Sequence, residues 1–259
     1  MKPRALILFA PGTNRDGDVA AALELAGALP HIVPLKTLRE TRVDWRDYQM
    51  LVIPGGFSYA DALGAGKLLA LDLSHYFLDQ VQSFVAAVKP VIGICNGFQA
   101  LVKSGILPTG TQNHEIPWAT LTYNNGNHFE CRWVSLKPIS QKCIWTRGLT
   151  GLLDCPVAHG EGNFQVSDAQ KLDALAAADQ IALAYVHPDG RPANGEYAVN
   201  PNGSIMDIAG ICNPQGNVLG LMPHPENHVF PFQTPDRHRR TDSACLSFFQ
   251  NGVRYASDL

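Results

Sequence analysis

The most constraining feature of the sequence is the stretch VIGICNGFQAL, Val91 to Leu101, in which a strand pattern meets a helix pattern at one cysteine. The residues KPVIGI before Cys95 are apolar and rich in β-branched side chains, which predicts a strand buried on both faces. After Cys95, apolar residues recur at helical spacing until Gly105 and Pro108 end the pattern. The sequence therefore predicts a strand that turns into a helix at Cys95.

The glycines around Cys95 indicate what this turn can do. Gly93 and Gly97 stand two residues before and after it, and G-x-C-x-G is the thiol version of a nucleophile elbow. A helix N-terminus offers unpaired N–H groups and the positive end of the helix dipole, which favour a thiolate. We therefore predict that Cys95 is a nucleophile. The other cysteines have contexts that favour small, buried apolar residues: Cys131, Cys143, Cys155, Cys212 and Cys245.

Strand patterns and helix patterns alternate along the chain as far as about Gly110. The predicted strands are RALILFA, HIVPLK, QMLVIP and KPVIGI, and the predicted helices cover Asp16 to Ala28 and Leu63 to Val88. This alternation predicts an α/β fold with a doubly wound, flavodoxin-like and mostly parallel sheet, in which ligands bind at the carboxyl ends of the strands.

Beyond Gly110 the pattern changes to short strand-like runs separated by turn signals such as NNG, PDG and PNG. The runs are WATLTYNN, HFECRWVSLKP, CPVAHGEG, IALAYV, SIMDIAGICNP and VLGLMPH. They predict β-hairpins added to the sheet, and an amphipathic pattern predicts a final helix from Asp242 to Tyr255. A chain of 259 residues with 46% apolar residues can bury one large core. We therefore predict a single domain over residues 1–259.

Composition excludes several classes of function. A net charge of −3 gives no basic excess for nucleic-acid binding, and no apolar run approaches the ~18 residues of a membrane span. Six cysteines without a C-x-x-C pair favour neither a zinc site nor a disulfide framework, so we expect a reducing cytoplasm. The segment GAGKLL resembles a phosphate loop, but Asp61, which precedes it, stands where that loop needs Gly, and Leu68 stands where it needs Ser or Thr. We therefore expect no metal, nucleotide or other cofactor in this chain.

A candidate base for Cys95 lies in VLGLMPHPENH, where an apolar strand ends at Pro223. His224 and Glu226 follow with a spacing of two, so in extended backbone both side chains share a face and Glu226 can accept the Nδ1–H of His224. A lone histidine at a strand end is more often a surface residue. In an α/β fold, however, this strand end and that of Cys95 point to one edge, and the combination favours catalysis.

A third element is PGGFSYAD, Pro54 to Asp61, which follows the strand pattern QMLVI. Two adjacent glycines after a buried strand are usually a simple turn. They can also direct backbone N–H groups at an anion, as a nucleophile that attacks an acyl group requires. The N–H of Asn96, the residue after Cys95, is the second candidate donor for such an oxyanion hole.

Taken together, GICNGFQAL, PGGFSYAD, HGEG and NPNGSIMDIAGICNPQGNVLGLMPHPE resemble the class I (triad) glutamine amidotransferases. Within that class they resemble the glutaminase subunits of phosphoribosylformylglycinamidine synthase, an enzyme of purine biosynthesis. The resemblance implies that Cys95 is the nucleophile, His224 the base and Glu226 the residue that orients it. It also implies a set of residues that hold L-glutamine and its oxyanion: Gly56 and Phe57 through their backbone, and Gln99.

The resemblance implies partners as well. A glutaminase of this kind delivers ammonia to an ATP-dependent synthetase subunit that binds ATP and Mg²⁺, together with a small bridging subunit. This sequence departs from the family at Arg15, where members often have cysteine, and at Asn227, where they often have arginine. Residues Thr109 to Trp118 and the basic segment Pro231 to Arg240 are additional to the compact subunits. The basic segment is either a partner contact or a solvated loop.

Three alternatives remain open from the sequence. The chain could serve a different synthetase, which the acceptor of the nitrogen would reveal. A non-catalytic relative that only binds a metabolite or partner is a second alternative, and the intact set of Cys95, His224 and Glu226 argues against it. A cysteine hydrolase of the same broad fold acting on other amides is the third, and Gln99 with HGEG favours glutamine.

Overall fold

A nine-stranded sheet organises the computed structural model, which describes residues 1–40, 43–110, 117–235 and 244–259. The described strands are β1 Arg4–Phe9, β2 Leu29–Pro34, β3 Met50–Ile53, β4 Val91–Ile94, β5 Ala119–Thr122, β6 Glu130–Pro138, β7 Leu153–His159, β8 Asn163–Val166, β9 Ile181–Val186, β10 Ile208–Cys212 and β11 Val218–Leu221. The large sheet has the order β2-β1-β3-β4-β11-β10-β9-β6-β7, and β5 pairs with β8 in a separate two-stranded sheet.

Helices cover the faces of this sheet. The described α-helices are α1 Asp16–Leu25, α2 Leu35–Glu40, α3 Lys67–His75, α4 Leu78–Ala86, α5 Asn96–Lys103, α6 Ala169–Ala177 and α7 Ala244–Ser257. The helix predicted from Leu63 to Val88 is two helices, because Tyr76 ends α3 and Phe77 begins the turn before α4. The sequence patterns above do not predict α2, α6 or β8.

The sheet has a parallel half and an antiparallel half. Strands β2, β1, β3, β4 and β11 are parallel neighbours, in the flavodoxin-like order. Strands β10, β9, β6 and β7 continue the sheet in antiparallel pairings. The predicted α/β fold with added hairpins is confirmed. Strands from both ends of the chain join this sheet, and the assignment of residues 1–259 to one domain stays a prediction.

The pairing of β4 with β11 positions the site. Ile94 at the end of β4 lies opposite Leu221 at the end of β11, in parallel register. The segments that follow the two strands therefore leave the sheet at the same edge. Helix α5 packs over this pair so closely that a Cβ on Gly220 of β11 would lie 2.0 Å from the Phe98 ring. Burial of Phe98 contributes about 1.5–3 kcal/mol to this packing.

Cysteine burial follows the sequence prediction at four of the five positions outside the elbow. Cys143, Cys155, Cys212 and Cys245 are buried, whereas Cys131 is exposed. Cys131 lies on β6, where its neighbours Glu130 and Arg132 belong to the opposite face. The expectation of a buried Cys131 is therefore wrong, and the six cysteines are free thiols.

Three further sequence predictions can be compared with the structure only in part. Residues 111–116 of the segment Thr109 to Trp118, and residues 236–240 of the segment Pro231 to Arg240, lie outside the described residues. The same holds for the first two residues of the predicted final helix, whose described part begins at Ala244. Across the described ranges, none of the helices combines the length and the hydropathy needed to traverse a bilayer.

Candidate active site

Cys95 occupies the predicted turn between β4 and α5, as the N-cap residue of α5. Its backbone has φ 49° and ψ −103°, a conformation that a residue with a Cβ adopts only when its surroundings hold it there. The Cys95 N–H donates to Leu221 O at 2.8 Å, and the Gln99 N–H donates to Cys95 O at 3.0 Å. A Cβ on Gly97 would lie 1.9 Å from Ile53 O. The elbow therefore requires glycine at position 97.

His224 and Glu226 form the predicted pair at the end of β11. The Nδ1–H of His224 donates to Glu226 Oε1 at 2.7 Å, and both side chains are almost fully buried. The backbone N–H of His224 donates to Pro156 O at 2.8 Å, which fixes the segment against the edge of β7. The remaining ring nitrogen of His224 is free for the hydrogen bond that the ring makes with Cys95. The structure thus brings the three residues together.

The charges of this group determine the protonation state of His224. Burial disfavours the imidazolium, but the carboxylate of Glu226 and the thiolate of Cys95 outweigh burial and raise the pKa of His224 from 6.5 to about 10. At neutral pH the ring is therefore an imidazolium that faces Cys95. Such a group can stabilise a thiolate and later give a proton to a leaving ammonia.

The PGGF segment passes directly beside this pair. A Cβ on Gly55 would lie 2.7 Å from His224 Cε1 and 3.4 Å from Cys95 Cβ. Gly56 has φ +136°, and a Cβ there would lie 2.6 Å from Asn14 N. Both positions therefore need glycine. Within the described part of the chain, the N–H groups of Gly56 and Asn96 donate to no other group, as an oxyanion hole requires.

Phe57 does not offer the backbone donor that the resemblance implies. Its N–H donates to Gly12 O at 3.0 Å, beside an isolated antiparallel bridge between Thr13 and Gly56. The donor is therefore occupied in this structure. Gly56 and Asn96 are therefore the candidates whose N–H groups are free in this structure, and a role of Phe57 in the oxyanion hole stays a prediction.

Side chains behind the elbow hold Asn96 and Gln99. Asn96 Oδ1 accepts from Ser58 Oγ at 2.5 Å, and Asn96 Nδ2 donates to Gln99 Oε1 at 3.1 Å. Gln99 Nε2 donates to Glu161 O at 2.7 Å. The amide of Gln99, which is nearly fully buried, therefore connects α5 to the HGEG segment, His159 to Gly162. A direct contact between Gln99 and glutamine stays a prediction.

The two departures from the family meet at one carboxylate. Arg15 NH1 lies 2.9 Å from Asp18 Oδ2, and Asn227 Nδ2 donates to the same oxygen at 2.9 Å. Asp18 belongs to α1, so the pair of contacts ties the segment after Glu226 to that helix. Arg15 therefore places a guanidinium, and Asn227 an amide, on the same carboxylate oxygen of α1.

Sequence reasoning missed an asparagine that supports the HGEG segment. Asn124 Nδ2 donates to His159 O at 2.8 Å, and Asn124 Oδ1 accepts from Gly162 N at 2.9 Å. Burial and the positive charge of His224 lower the pKa of His159 to about 3, so this ring stays neutral. The NNG motif that contains Asn124 predicts only a turn, and nothing in its pattern indicates this contact.

A thiol on a nucleophile elbow, next to a buried His–Glu couple at the edge of this sheet, is the arrangement expected of a triad glutamine amidotransferase. Comparison with known families agrees, because the model of the CobB/CobQ-like glutamine amidotransferase domain matches residues 2–256. The subunit PurQ of phosphoribosylformylglycinamidine synthase from Treponema denticola is 56% identical, over 98% of this chain and 99% of its own length. PurQ from Dehalococcoides mccartyi is 38% identical, over 98% of each chain.

Solved structures give the same result. The structure of PurLQS from Thermotoga maritima matches with a TM-score of 0.75 and 30% identity, over 98% of this chain and 99% of that chain. A glutamine amidotransferase from the same organism, 13% identical, matches the fold over the full length of both chains with a TM-score of 0.57. The chain belongs to the glutamine amidotransferase family, as a member of its PurQ group.

Proposed function

We propose that this chain hydrolyses L-glutamine through a thioester on Cys95 and passes the ammonia to a synthetase. The observation that carries the proposal is the buried contact of His224 with Glu226, 2.7 Å long, next to Cys95. In this contact Glu226 holds His224 beside Cys95, where the ring can donate a proton in the first step of glutamine hydrolysis and accept one in the second. The alternative of a cysteine hydrolase acting on other amides has no comparable support, since the amidotransferase family model matches the sequence over residues 2–256.

The thiolate of Cys95 attacks the side-chain amide carbon of glutamine, and the N–H groups of Gly56 and Asn96 stabilise the oxyanion. The His224 imidazolium then gives its proton to the amide nitrogen, so ammonia leaves and a γ-glutamyl thioester remains. Next, His224 takes a proton from water as that water attacks the thioester. Glutamate leaves, and the proton returns the triad to its starting state. Glu226 keeps the His224 ring in the orientation that serves both steps.

The acceptor and the partners follow from the relatives. We propose that the ammonia converts formylglycinamide ribonucleotide to formylglycinamidine ribonucleotide in de novo purine biosynthesis, on an ATP-dependent synthetase subunit accompanied by a small bridging subunit. ATP and Mg²⁺ would bind to the synthetase, and this chain would need no cofactor of its own. The relatives named PurQ and the match to PurLQS support this assignment. Six free thiols support a reducing cytoplasm as its location.

The test uses glutamine with a labelled amide nitrogen. Wild type and Cys95→Ala are each incubated with the synthetase, the small subunit, ATP, Mg²⁺ and formylglycinamide ribonucleotide, and mixtures without the synthetase serve as the reference. We expect the label in the amidine product only with wild type, and faster glutamate release when the synthetase is present. Label transferred to a different acceptor would favour a different synthetase, and no glutamate release in any mixture would overturn the proposal.

A further inference from the structure

Glu161, the acidic residue of HGEG, contacts three segments that surround the active site. Its backbone carbonyl accepts from Gln99 Nε2 at 2.7 Å. Its carboxylate accepts from Ala65 N at 3.1 Å through Oε1 and lies 3.1 Å from Lys103 Nζ through Oε2. Lys103 Nζ also donates to Ala65 O at 2.5 Å. One residue thus holds α5, the loop after PGGF and the HGEG segment together.

Each of these segments carries part of the site already described. Helix α5 begins at the residue after Cys95 and ends at Lys103, so the ion pair holds the end of the helix whose start forms the elbow. Residue Ala65 belongs to the loop that continues from Gly56. The HGEG segment begins at His159, the last residue of β7, and the preceding Ala158 O lies 3.8 Å from Cys95 Sγ. Movement at Glu161 would therefore change the distances between Cys95 and the segments that surround it.

The ion pair of Lys103 and Glu161 lies in largely buried surroundings that strengthen it. The side chains of Lys103 and Glu161 are 19% and 16% exposed, so solvent screens their attraction much less than it screens a surface pair. Asp61 is a second carboxylate close by; burial raises its pKa, and it accepts from Asn96 Nδ2 at 3.1 Å. Loss of Lys103 would leave two carboxylates without their common cation. The HGEG segment would then be held to α5 only through Gln99 and to the loop only through Ala65 N.

We propose that Glu161 and Lys103 are positioning residues that set the affinity of the site for glutamine, by holding the HGEG segment against the elbow helix and the PGGF loop. This inference rests on the proposed function, because it assigns a role in the same pocket. Neither residue touches the reacting atoms. Their loss should weaken glutamine binding while the reactivity of the Cys95 thiol remains.

The experiment compares two reagents that alkylate Cys95 in the isolated chain. A chloroketone analogue of glutamine must occupy the pocket before it reacts, whereas iodoacetamide requires only the thiol. Lys103→Met and Glu161→Gln are the test variants, and Lys103→Arg, which keeps the cation, is the conservative variant. Lys36→Met is the matched control, because Lys36 forms an exposed pair with Glu40 at 3.9 Å on α2, which carries none of the site residues. Thermal unfolding of every variant is recorded.

We expect both test variants to raise the half-saturating chloroketone concentration about tenfold, with the iodoacetamide rate within about twofold of wild type. Lys103→Arg should recover most of the affinity, and Lys36→Met should behave as wild type. An unchanged half-saturating chloroketone concentration in the test variants, or an equal fall in the rates of alkylation by both reagents, would overturn this inference and leave the proposed function unaffected. Failure of the chloroketone to saturate the wild type would overturn the proposed function, and this inference with it. Glu161→Gln has nearly the same shape as the wild-type side chain. If Lys103→Met does not fold, the chloroketone and iodoacetamide measurements on Glu161→Gln decide the test.

Discussion

Replacement of Glu226 by glutamine removes one charge from the triad while it keeps the shape of the side chain. Glu226→Gln can still accept the Nδ1–H of His224 through its amide oxygen, so the 2.7 Å contact can persist. The imidazolium loses the buried carboxylate that helps to stabilise it. We expect the pKa of His224 to fall, and the ring to be neutral in a larger fraction of the enzyme at pH 7.

The size of the effect follows from the pKa of His224. Its rise from 6.5 to about 10 corresponds to about 5 kcal/mol of interaction that favours the imidazolium. Glu226 and the Cys95 thiolate share this interaction, and both act against the burial of the ring. The rise is what remains after burial of the ring has lowered the pKa, so Glu226 and Cys95 together supply more than about 5 kcal/mol. An equal share for Glu226 is at least about 2–3 kcal/mol. Its loss leaves most rings protonated at pH 7, but it removes that stabilisation from the imidazolium in the transition state, so kcat for glutaminase activity should fall about 10²-fold.

The assay measures glutamate release by the complex with the synthetase, and the His224 ring is titrated by nuclear magnetic resonance. Glu196→Gln is the control, because Glu196 faces His187 at 3.4 Å but is 63% exposed. It should leave kcat unchanged. A Glu226→Gln enzyme with wild-type kcat and an unchanged pKa of His224 would refute the electrostatic role assigned to Glu226.

Three further predictions follow from the geometry. Gly55→Ala places a Cβ 2.7 Å from His224 Cε1, so glutaminase activity should fall about 10²-fold while circular dichroism stays that of the wild type; unchanged activity would contradict the close approach. Asp168→Ala removes the N-cap of α6, whose carboxylate accepts from Lys171 N at 2.9 Å. Urea titration should show a free energy of unfolding lower by about 1 kcal/mol, and an unchanged value would contradict a stabilising role of this cap. Because the pKa of His224 is raised from 6.5 to about 10, its stabilising contribution is complete below pH 6.5 and is lost as pH rises to about 10. The free energy of unfolding should therefore fall by at most about 1.4 kcal/mol per pH unit in that window, and a His224→Asn variant with the same fall would contradict this origin.

The elbow could be predicted from the sequence because its determinants are local. A buried strand, a cysteine and a helix follow one another within eleven residues, and Gly97 is required by the carbonyl of Ile53, 1.9 Å from where a Cβ would be. The His224–Glu226 contact is equally local, since two residues in extended backbone share a face. The approach of Cys95 to His224 depends on β4 and β11 ending at the same edge of the sheet. The alternation of strands and helices in the sequence predicted this arrangement.

Contacts between distant segments could not be predicted. Phe57 N–H was assigned to the oxyanion hole, but it pairs with Gly12 O across a bridge to a loop that the local pattern does not place. Lys103 and Glu161 are 58 positions apart, and Asn227 reaches Asp18 over 209 positions. Such pairings depend on how the loops pack around the sheet, and the residue types involved are common on surfaces.

The central claim is that Cys95 carries the glutamyl group during turnover. The most direct test is to stop the reaction of the complex with carbon-labelled glutamine by acid within the first turnovers, and to map the labelled peptide by mass spectrometry. The account predicts a γ-glutamyl thioester on Cys95 in the wild type and none in Cys95→Ala. Glutamate release by Cys95→Ala at the wild-type rate, or a label on another residue, would contradict it.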